Sequence, residues 1–389
     1  MHNQNVIKIM SFLMIILIVS GTCVISVKSD ITAVDEFLTN DQKYDNFSID
    51  KLNDEIISHA EYEQVDELII TWPGGTFFEK YFLDIIRNSE DAVLVRINVG
   101  NLIFKNNLIS KLNEEQIPLD NLTISISRRN SIWCRDYGPF FIEKNDELTI
   151  VDFNYLGIGR RIMDNLYPTL YGLKNNMEFD FWANFALCIQ GGNYMSDGQG
   201  LAMLSADTLE EDNPKKTIEE MGEILKEYLG LNEVLFLESQ ADDGTGHIDM
   251  YSKLINENTV IVGQWDESDI NFQILENNTQ LLINNGYNVI RVPMLRDPDE
   301  DKDNIWTYTN SLIINGTNNK VVLVPQYNTT EDSLAISIYE QSMPDYEIIG
   351  INCNAIIDYL GAIHCTTMTR PLIWFFFKKD DFWYFKMLL

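Results

Sequence analysis

The sequence predicts an α/β fold, because strand-like and helix-like stretches alternate along most of its length and no composition break divides them. A hydrophobic content of 45% over 389 residues supplies ample apolar surface for a buried core. Aromatic residues make up 11% of the chain, which argues against general disorder.

The first strand signal is Glu67, Leu68, Ile69, Ile70, Thr71 and Trp72, closed by Pro73, Gly74 and Gly75. Residues 78–89 follow with helical periodicity, and 92–97 read as a second strand. Further strands are predicted at 122–126, 148–153, 200–204, 234–237, 260–262, 288–292 and 321–324, with helices at 217–229 and 270–285 between them. The sequence contains no short exact repeat.

The two ends differ from this pattern. Residues 1–29 have the layout of a secretory signal peptide: a polar start with Lys8, an apolar run over 9–19, then the small residues Ser20, Gly21, Thr22 and Ser26. The run is short for a membrane span, so the expectation is a secreted or extracytoplasmic chain that touches a membrane only if this segment stays uncleaved. Residues 30–60 read as a polar lead-in, 61–370 as the main domain, and 371–389 as an aromatic tail of no assigned role.

Charge narrows the partners. There are 59 acidic and 28 basic residues, a formal net charge of −31. Such a field repels nucleic acid and anionic membranes and draws in cationic ligands, while equally serving solubility. Beyond the leader, Cys134, Cys188, Cys353 and Cys365 fit neither a disulfide scaffold nor a zinc motif. Asp297, Asp299, Asp301 and Asp303 alternate like a calcium loop, but Asn304 stands where glycine belongs and Asn310 where the bidentate glutamate belongs. A solvated loop is the expectation there, and no metal or other cofactor is expected anywhere. Five Asn-x-Ser/Thr triplets, at Asn46, Asn121, Asn277, Asn315 and Asn328, fit chance in so asparagine-rich a chain.

Only His59, His247 and His364 lie beyond the leader, so acid/base chemistry at neutral pH has few candidates. His247 follows Gly244, Thr245 and Gly246 and precedes Ile248 and Asp249. If 247–249 is extended, His247 and Asp249 share a side, where they can hold a cation and shuttle a proton; a surface turn is the alternative. Cys365 follows Gly361, Ala362, Ile363 and His364. It is either a nucleophile that a nearby cation could ionise or a plain core-strand cysteine, and His364 should point the opposite way. Trp133, Arg135 and Asp136, before Gly138 and Pro139, offer either a flat wall and a carboxylate for a guanidinium or a structural Arg–Asp pair. Gln190, Gly191, Gly192, Asn193 and Tyr194 form a further glycine-rich turn.

Together these segments resemble the agmatine deiminase and bacterial-type peptidylarginine deiminase family. The resemblance rests on Trp133, Arg135, Asp136, Gly138 and Pro139; on Gly191, Gly192 and Asn193; on Gly246 to Asp249; on Tyr308 to Ser311; and on Ile363, His364 and Cys365, in that order. It implies a five-bladed, pseudo-fivefold α/β propeller of the guanidino-group-modifying type, with 61–370 as its catalytic domain. It implies that Cys365 is the nucleophile, Asp136 and Asp249 the guanidinium clamps, and His247 the acid/base. Trp133 and Asn310 would position substrate, and Arg160 and Arg161 would lie where related enzymes grip a peptide carboxylate. No cofactor is implied. The motif wording favours conversion of peptidyl arginine to citrulline with release of ammonia; the alternative is agmatine.

Overall fold

The computed structural model describes residues 55–75, 77–157, 161–299 and 304–373, with the backbone of 375–379 and 382–386. The leader, most of the lead-in, Arg160 and residues 300–303 lie outside the described residues.

One strand–strand–helix–strand plan recurs in five sheets. Two antiparallel strands are followed by a helical crossover to a third strand parallel to the second. In the first sheet, Phe140–Lys144 and Glu147–Val151 are antiparallel, helix Tyr167–Asn175 crosses over, and Glu178–Asp180 is parallel. In the second, Met195–Ser196 and Leu201–Ser205 lead through helices Ala206–Asp212 and Ile218–Leu229 to Glu233–Leu237. The third runs Ser252–Asn256, Thr259–Gln264, helix Phe272–Asn284, Asn288–Arg296, and adds Ile305–Thr307. The fourth runs Leu312–Asn315, Lys320–Gln326, helix Glu331–Ser342, Glu347–Asn352. In the fifth, Val65–Thr71, helix Glu79–Arg87 and Leu94–Val99 are extended by helix Leu102–Glu114 and Leu122–Ile126. Its antiparallel first strand, Thr367–Pro371, comes from the far end of the domain.

Local chemistry explains these elements. Val321, Val322, Leu323 and Val324 are all buried, the continuous apolar run expected of a strand covered on both faces. Helix Ile218–Leu229 opens with a capping box of Thr217 and Glu220 and ends at Gly230 in the left-handed region.

Residues 55–60, read from composition as part of a polar lead-in, are built into the fold. Ile56–Ile57 pairs with the outer end of Phe140–Lys144, and His59 lies between Glu63 and Glu143 at 3.1 and 3.2 Å. In the tail, Phe375–Lys379 and Phe382–Lys386 pair antiparallel with each other.

The five connectors that lead into the first strand of each sheet hold 133–139, 190–194, 246–251, 308–311 and 361–366. These are the five sequence segments singled out for chemistry.

Candidate active site

Each connector brings its polar residue inward by local hydrogen bonding. Asp136 lies in the single turn Cys134–Tyr137. The Cys134 thiol donates to the carbonyls of Ile69 and Thr366, and the Arg135 amide donates to the Cys365 carbonyl. This turn is therefore fastened to the segment that carries Cys365. Asn193 fastens the glycine turn: its Oδ1 accepts from the amides of Ser205 and Ile248, and its Nδ2 donates to the Ser205 carbonyl. Residues 247–249 are not extended. Ile248–Met250 is a 3₁₀ turn, and Thr208 donates to the carbonyls of Thr245 and Gly246 to hold its entry. Cys365 likewise sits in a turn ahead of Thr367–Pro371 rather than inside a strand.

The result is a buried convergence of Asp136, His247, Asp249 and Cys365. His247 Nδ1 is 3.6 Å from Asp136 Oδ1. The Cys365 Sγ is 3.7 Å from Asp249 Oδ2. Gly192 sits between them: a Cβ placed there would lie 2.5 Å from His247 Nδ1, 2.8 Å from Asp136 Oδ1 and 3.2 Å from Asp249 Oδ2. Only a residue without a side chain leaves that space open. Trp133 is half-buried beside the cysteine; a Cβ on Gly361 would touch its ring at 2.7 Å and Cys365 Sγ at 3.1 Å.

Asn310 grips the cysteine segment. Its Nδ2 donates to Cys365 Sγ at 3.1 Å, and its Oδ1 accepts from the amides of Ala362 and Cys365 at 3.1 and 3.3 Å. Of the two arginines, Arg161 is half-buried and donates to the Tyr155 hydroxyl at 3.1 Å, close enough for its charge to act on Asp136. Arg135 and Asp136 do not form a structural pair. Arg135 turns away to Glu61 at 3.0 Å, which frees the Asp136 carboxylate.

Sequence reasoning missed what lies behind Asp249. His364 and Cys365 do not take opposite sides as they would in a strand: in this turn both meet Asp249 Oδ2, and His364 lands between two carboxylates. Its Nδ1 is 2.6 Å from Asp249 Oδ2 and its Nε2 is 2.5 Å from Glu61 Oε2. Glu61 also accepts from Lys253 Nζ at 2.8 Å and from the Ile313 amide at 3.0 Å. Glu61 and Lys253 looked like ordinary surface residues of unremarkable segments, and no spacing linked them to the site. A pocket of ≈ 80 Å³ borders this group, with Glu61, Arg135, Lys253 and His364 in its walls.

Electrostatics separates the groups. Burial lifts Asp136 to about 6, with the charge on Asp249 adding and His247 opposing. Burial also acts to raise Asp249, but His364, by hydrogen bond and charge, outweighs it together with His247 and Lys253, so Asp249 stays below its usual range. Glu61 is driven well below its range because His364, Lys253 and Arg135 outweigh its burial. Burial, then the charges of Asp249 and Asp136, push the Cys365 thiol well above its ordinary value. Among the described residues, both ring nitrogens of His247 and Asp249 Oδ1 are buried without a hydrogen-bond partner. Unpaired groups of this kind are costly in a native interior unless a ligand completes them.

Comparisons with known proteins identify the family and the fold. The model of the Porphyromonas-type peptidyl-arginine deiminase family matches residues 57–371. A Lactococcus lactis protein named "Putative agmatine deiminase" is 26% identical over 357 residues, covering 80% of this chain and 94% of its own. The solved structure of a Porphyromonas gingivalis protein described as "Putative Arginine Deiminase" is 25% identical with a TM-score of 0.73, covering 82% of this chain and 98% of its own. An agmatine deiminase structure from Enterococcus faecalis, 21% identical with a TM-score of 0.71 over 81% of this chain and 96% of its own, shares the fold. The mixed α/β architecture is that of guanidino-modifying enzymes, and the chemistry in general is hydrolysis of an amidine C–N bond. The chain belongs to the Porphyromonas-type peptidyl-arginine deiminase family.

Proposed function

We propose that this protein deiminates a guanidinium substrate through a covalent Cys365 adduct, with agmatine as the substrate. The observation that carries the chemistry is the buried convergence of Asp136, Asp249 and His247 on Gly192, with Asp249 Oδ1 and both His247 nitrogens lacking a hydrogen-bond partner among the described residues, an environment suited to a cation. Asp136 and Asp249 would each accept from guanidinium nitrogens, replacing solvent with fixed carboxylates where charge attraction is strong. The arriving cation offsets the two carboxylates that keep the thiol protonated, so the substrate itself favours the thiolate.

The thiol proton passes to His247, and the thiolate attacks the guanidinium carbon. His247 gives a proton to one nitrogen, the C–N bond breaks, and ammonia leaves an amidino-thioether on Cys365. His247 next takes a proton from a water that attacks the same carbon. The C–S bond breaks, the thiolate returns, and the product carries a ureido group. Asn310 holds Sγ for both attacks, and Trp133 walls the entry. His364 acts through Asp249, fixing its carboxylate by a hydrogen bond at Oδ2.

Relatives support agmatine, because the Lactococcus lactis protein carries the name "Putative agmatine deiminase" and the Enterococcus faecalis structure is described as an agmatine deiminase. A second reading, peptidyl arginine, has one specific observation in its favour. Arg161 puts a cation near Asp136, which suits a carboxylate at the far end of the substrate better than agmatine's ammonium. The fivefold strand plan also supports reading the sheets as blades of a pseudo-fivefold propeller around the site. Residues 1–29 are proposed to direct export, which N-terminal sequencing of the mature protein tests.

The functional test is a parallel assay for ureido product and ammonia with agmatine, free arginine, a peptide ending in arginine and a peptide with internal arginine. Turnover of agmatine with ammonia release is expected. Turnover of arginine peptides alone overturns the agmatine assignment, and unchanged activity of Cys365→Ser overturns the mechanism.

A further inference from the structure

A second polar site lies away from Cys365, in the cleft between the fifth sheet and helix Tyr167–Asn175. Strand Leu94–Val99 buries Val95, Ile97 and Val99 on one face and directs Arg96 and Asn98 to the other. Its register sets Arg96 beside Thr123 and Asn98 beside Ser125. The helix faces this polar surface with Tyr167, Leu170, Tyr171 and Lys174, the one-sided spacing of i, i+3, i+4 and i+7. A helix stripe normally meets an apolar sheet face. Here the two enclose a groove of ≈ 330 Å³, closed at one end by Ser127, Arg128 and Arg129.

The groove reverses the sign of the protein. A chain with 59 acidic and 28 basic residues places Arg96, Lys105, Arg128, Arg129 and Lys174 around this one cleft. Arg96 is neutralised by Glu67 at 2.5 Å. The others have no carboxylate partner among the described residues. Arg129 donates to the Met163 carbonyl and the Ser127 hydroxyl and stacks on the Tyr167 ring at 4.4 Å, while its buried Nε has no partner. Lys174 donates to the Ser125 hydroxyl at 2.8 Å, and Lys105 donates to the Ile124 carbonyl at 2.9 Å. Arg128 is exposed. The other nearby acid, Asp164, is occupied by the Asn130 amide and the Ser131 hydroxyl. Burial and then the charges of Arg96 and Lys105 pull the Lys174 ammonium down, the mark of uncompensated positive charge.

We propose that this groove binds a small phosphate-bearing anion, held by Arg128, Arg129 and Lys174 with the hydroxyls of Ser125 and Ser127. The groove lies against the face of the parallel strands Leu94–Val99 and Leu122–Ile126 and reaches their carboxyl ends, where Ser127, Arg128 and Arg129 follow. Arginine forks and serine hydroxyls match tetrahedral oxyanions, and the cleft has room for a phosphomonoester as well as free phosphate. The bound anion would pull residues 127–129 toward the helix. Since Arg129 holds Met163, it would also brace the segment that carries Arg161.

Calorimetric titration at constant low ionic strength tests this, with inorganic phosphate and a sugar phosphate as separate probes. One saturable site per chain is expected, with a matching rise in melting temperature. The tighter probe identifies free phosphate or a phosphomonoester as the ligand. The double variant R128Q/K174Q should weaken binding at least tenfold while keeping the wild-type circular dichroism, and Arg161→Gln should leave binding unchanged. Absence of a saturable site in the wild-type protein, equal affinity in R128Q/K174Q, or loss of binding in Arg161→Gln overturns the proposal.

Discussion

The two sides of Asp249 contrast sharply. On one side Oδ2 meets His364, which meets Glu61, which meets Lys253 and Arg135, so that every charge is answered within about one hydrogen-bond length. On the other side Cys365 Sγ lies 3.7 Å from the same Oδ2, Asp136 accepts from the Gly192 amide at 3.3 Å, and Asp249 Oδ1 and both nitrogens of His247 are buried with no hydrogen-bond partner among the described residues. The paired side is finished by the protein itself, whereas the open side leaves buried polar groups for a ligand to complete; in the proposed function that ligand is the guanidinium.

The contrast can be broken from either side. The largest effect is expected at the reacting atom: Cys365→Ser should lower kcat on the order of a thousandfold or more, with an unchanged melting temperature. Intact-mass detection of a substrate adduct in wild type and its absence in the variant complete that test.

On the paired side, Glu61→Gln leaves Lys253 and Arg135 as uncompensated buried charges and should cost about 3–5 kcal/mol of stability, read by urea denaturation. His364→Gln should be milder in stability but should let the Asp249 carboxylate turn. A drop in kcat/KM of about a hundredfold is expected, with KM rising as the clamp loosens.

On the open side the sign reverses. The Asp136 carboxyl moves from 3.8 to about 6 on folding. Its raised value means that the folded state prefers the proton, so ionisation costs stability at a pH above about 6 and costs nothing below about 4. Asp136→Asn should therefore stabilise the protein at pH 7 by about 2–3 kcal/mol, with the gain gone at pH 4. Activity should collapse in the same variant. In the wild type, kcat/KM should fall with acid through about 6, as the clamp loses its charge.

The smallest effect sharpens the substrate. Arg161→Gln should change kcat/KM for agmatine and for a peptide ending in arginine in opposite directions, by roughly threefold to tenfold each. Equal losses for both would remove Arg161 from recognition.

Much of this was legible in the sequence. The strands over 67–72, 260–262 and 321–324 are apolar runs, and they became the central strands of their sheets. Their antiparallel partners were harder to read. Ser252–Asn256 carries the buried Lys253, and Leu312–Asn315 is four residues long, so neither has a clean periodicity. The five chemical segments were visible because each is a connector, where glycine and polar residues interrupt apolar strands. Their recurrence once per sheet was not visible, because the repeat is one of topology. Glu61 was invisible for another reason: its partner His364 lies 303 residues away, and nothing local distinguishes a wired glutamate from a solvated one.

One feature of the chain path ties the thiol to the closure of the domain. The Cys365 turn stands immediately before Thr367–Pro371, and that strand completes the sheet begun by Val65–Thr71. The strand–strand–helix–strand sets of the other four sheets each come from one stretch of chain, whereas this set joins the two ends of the domain. The position of Cys365 is therefore coupled to the longest loop closure of the five sets, whose entropy must be offset before the thiol is set in place. Detaching this strand would unseat the thiol together with the sheet.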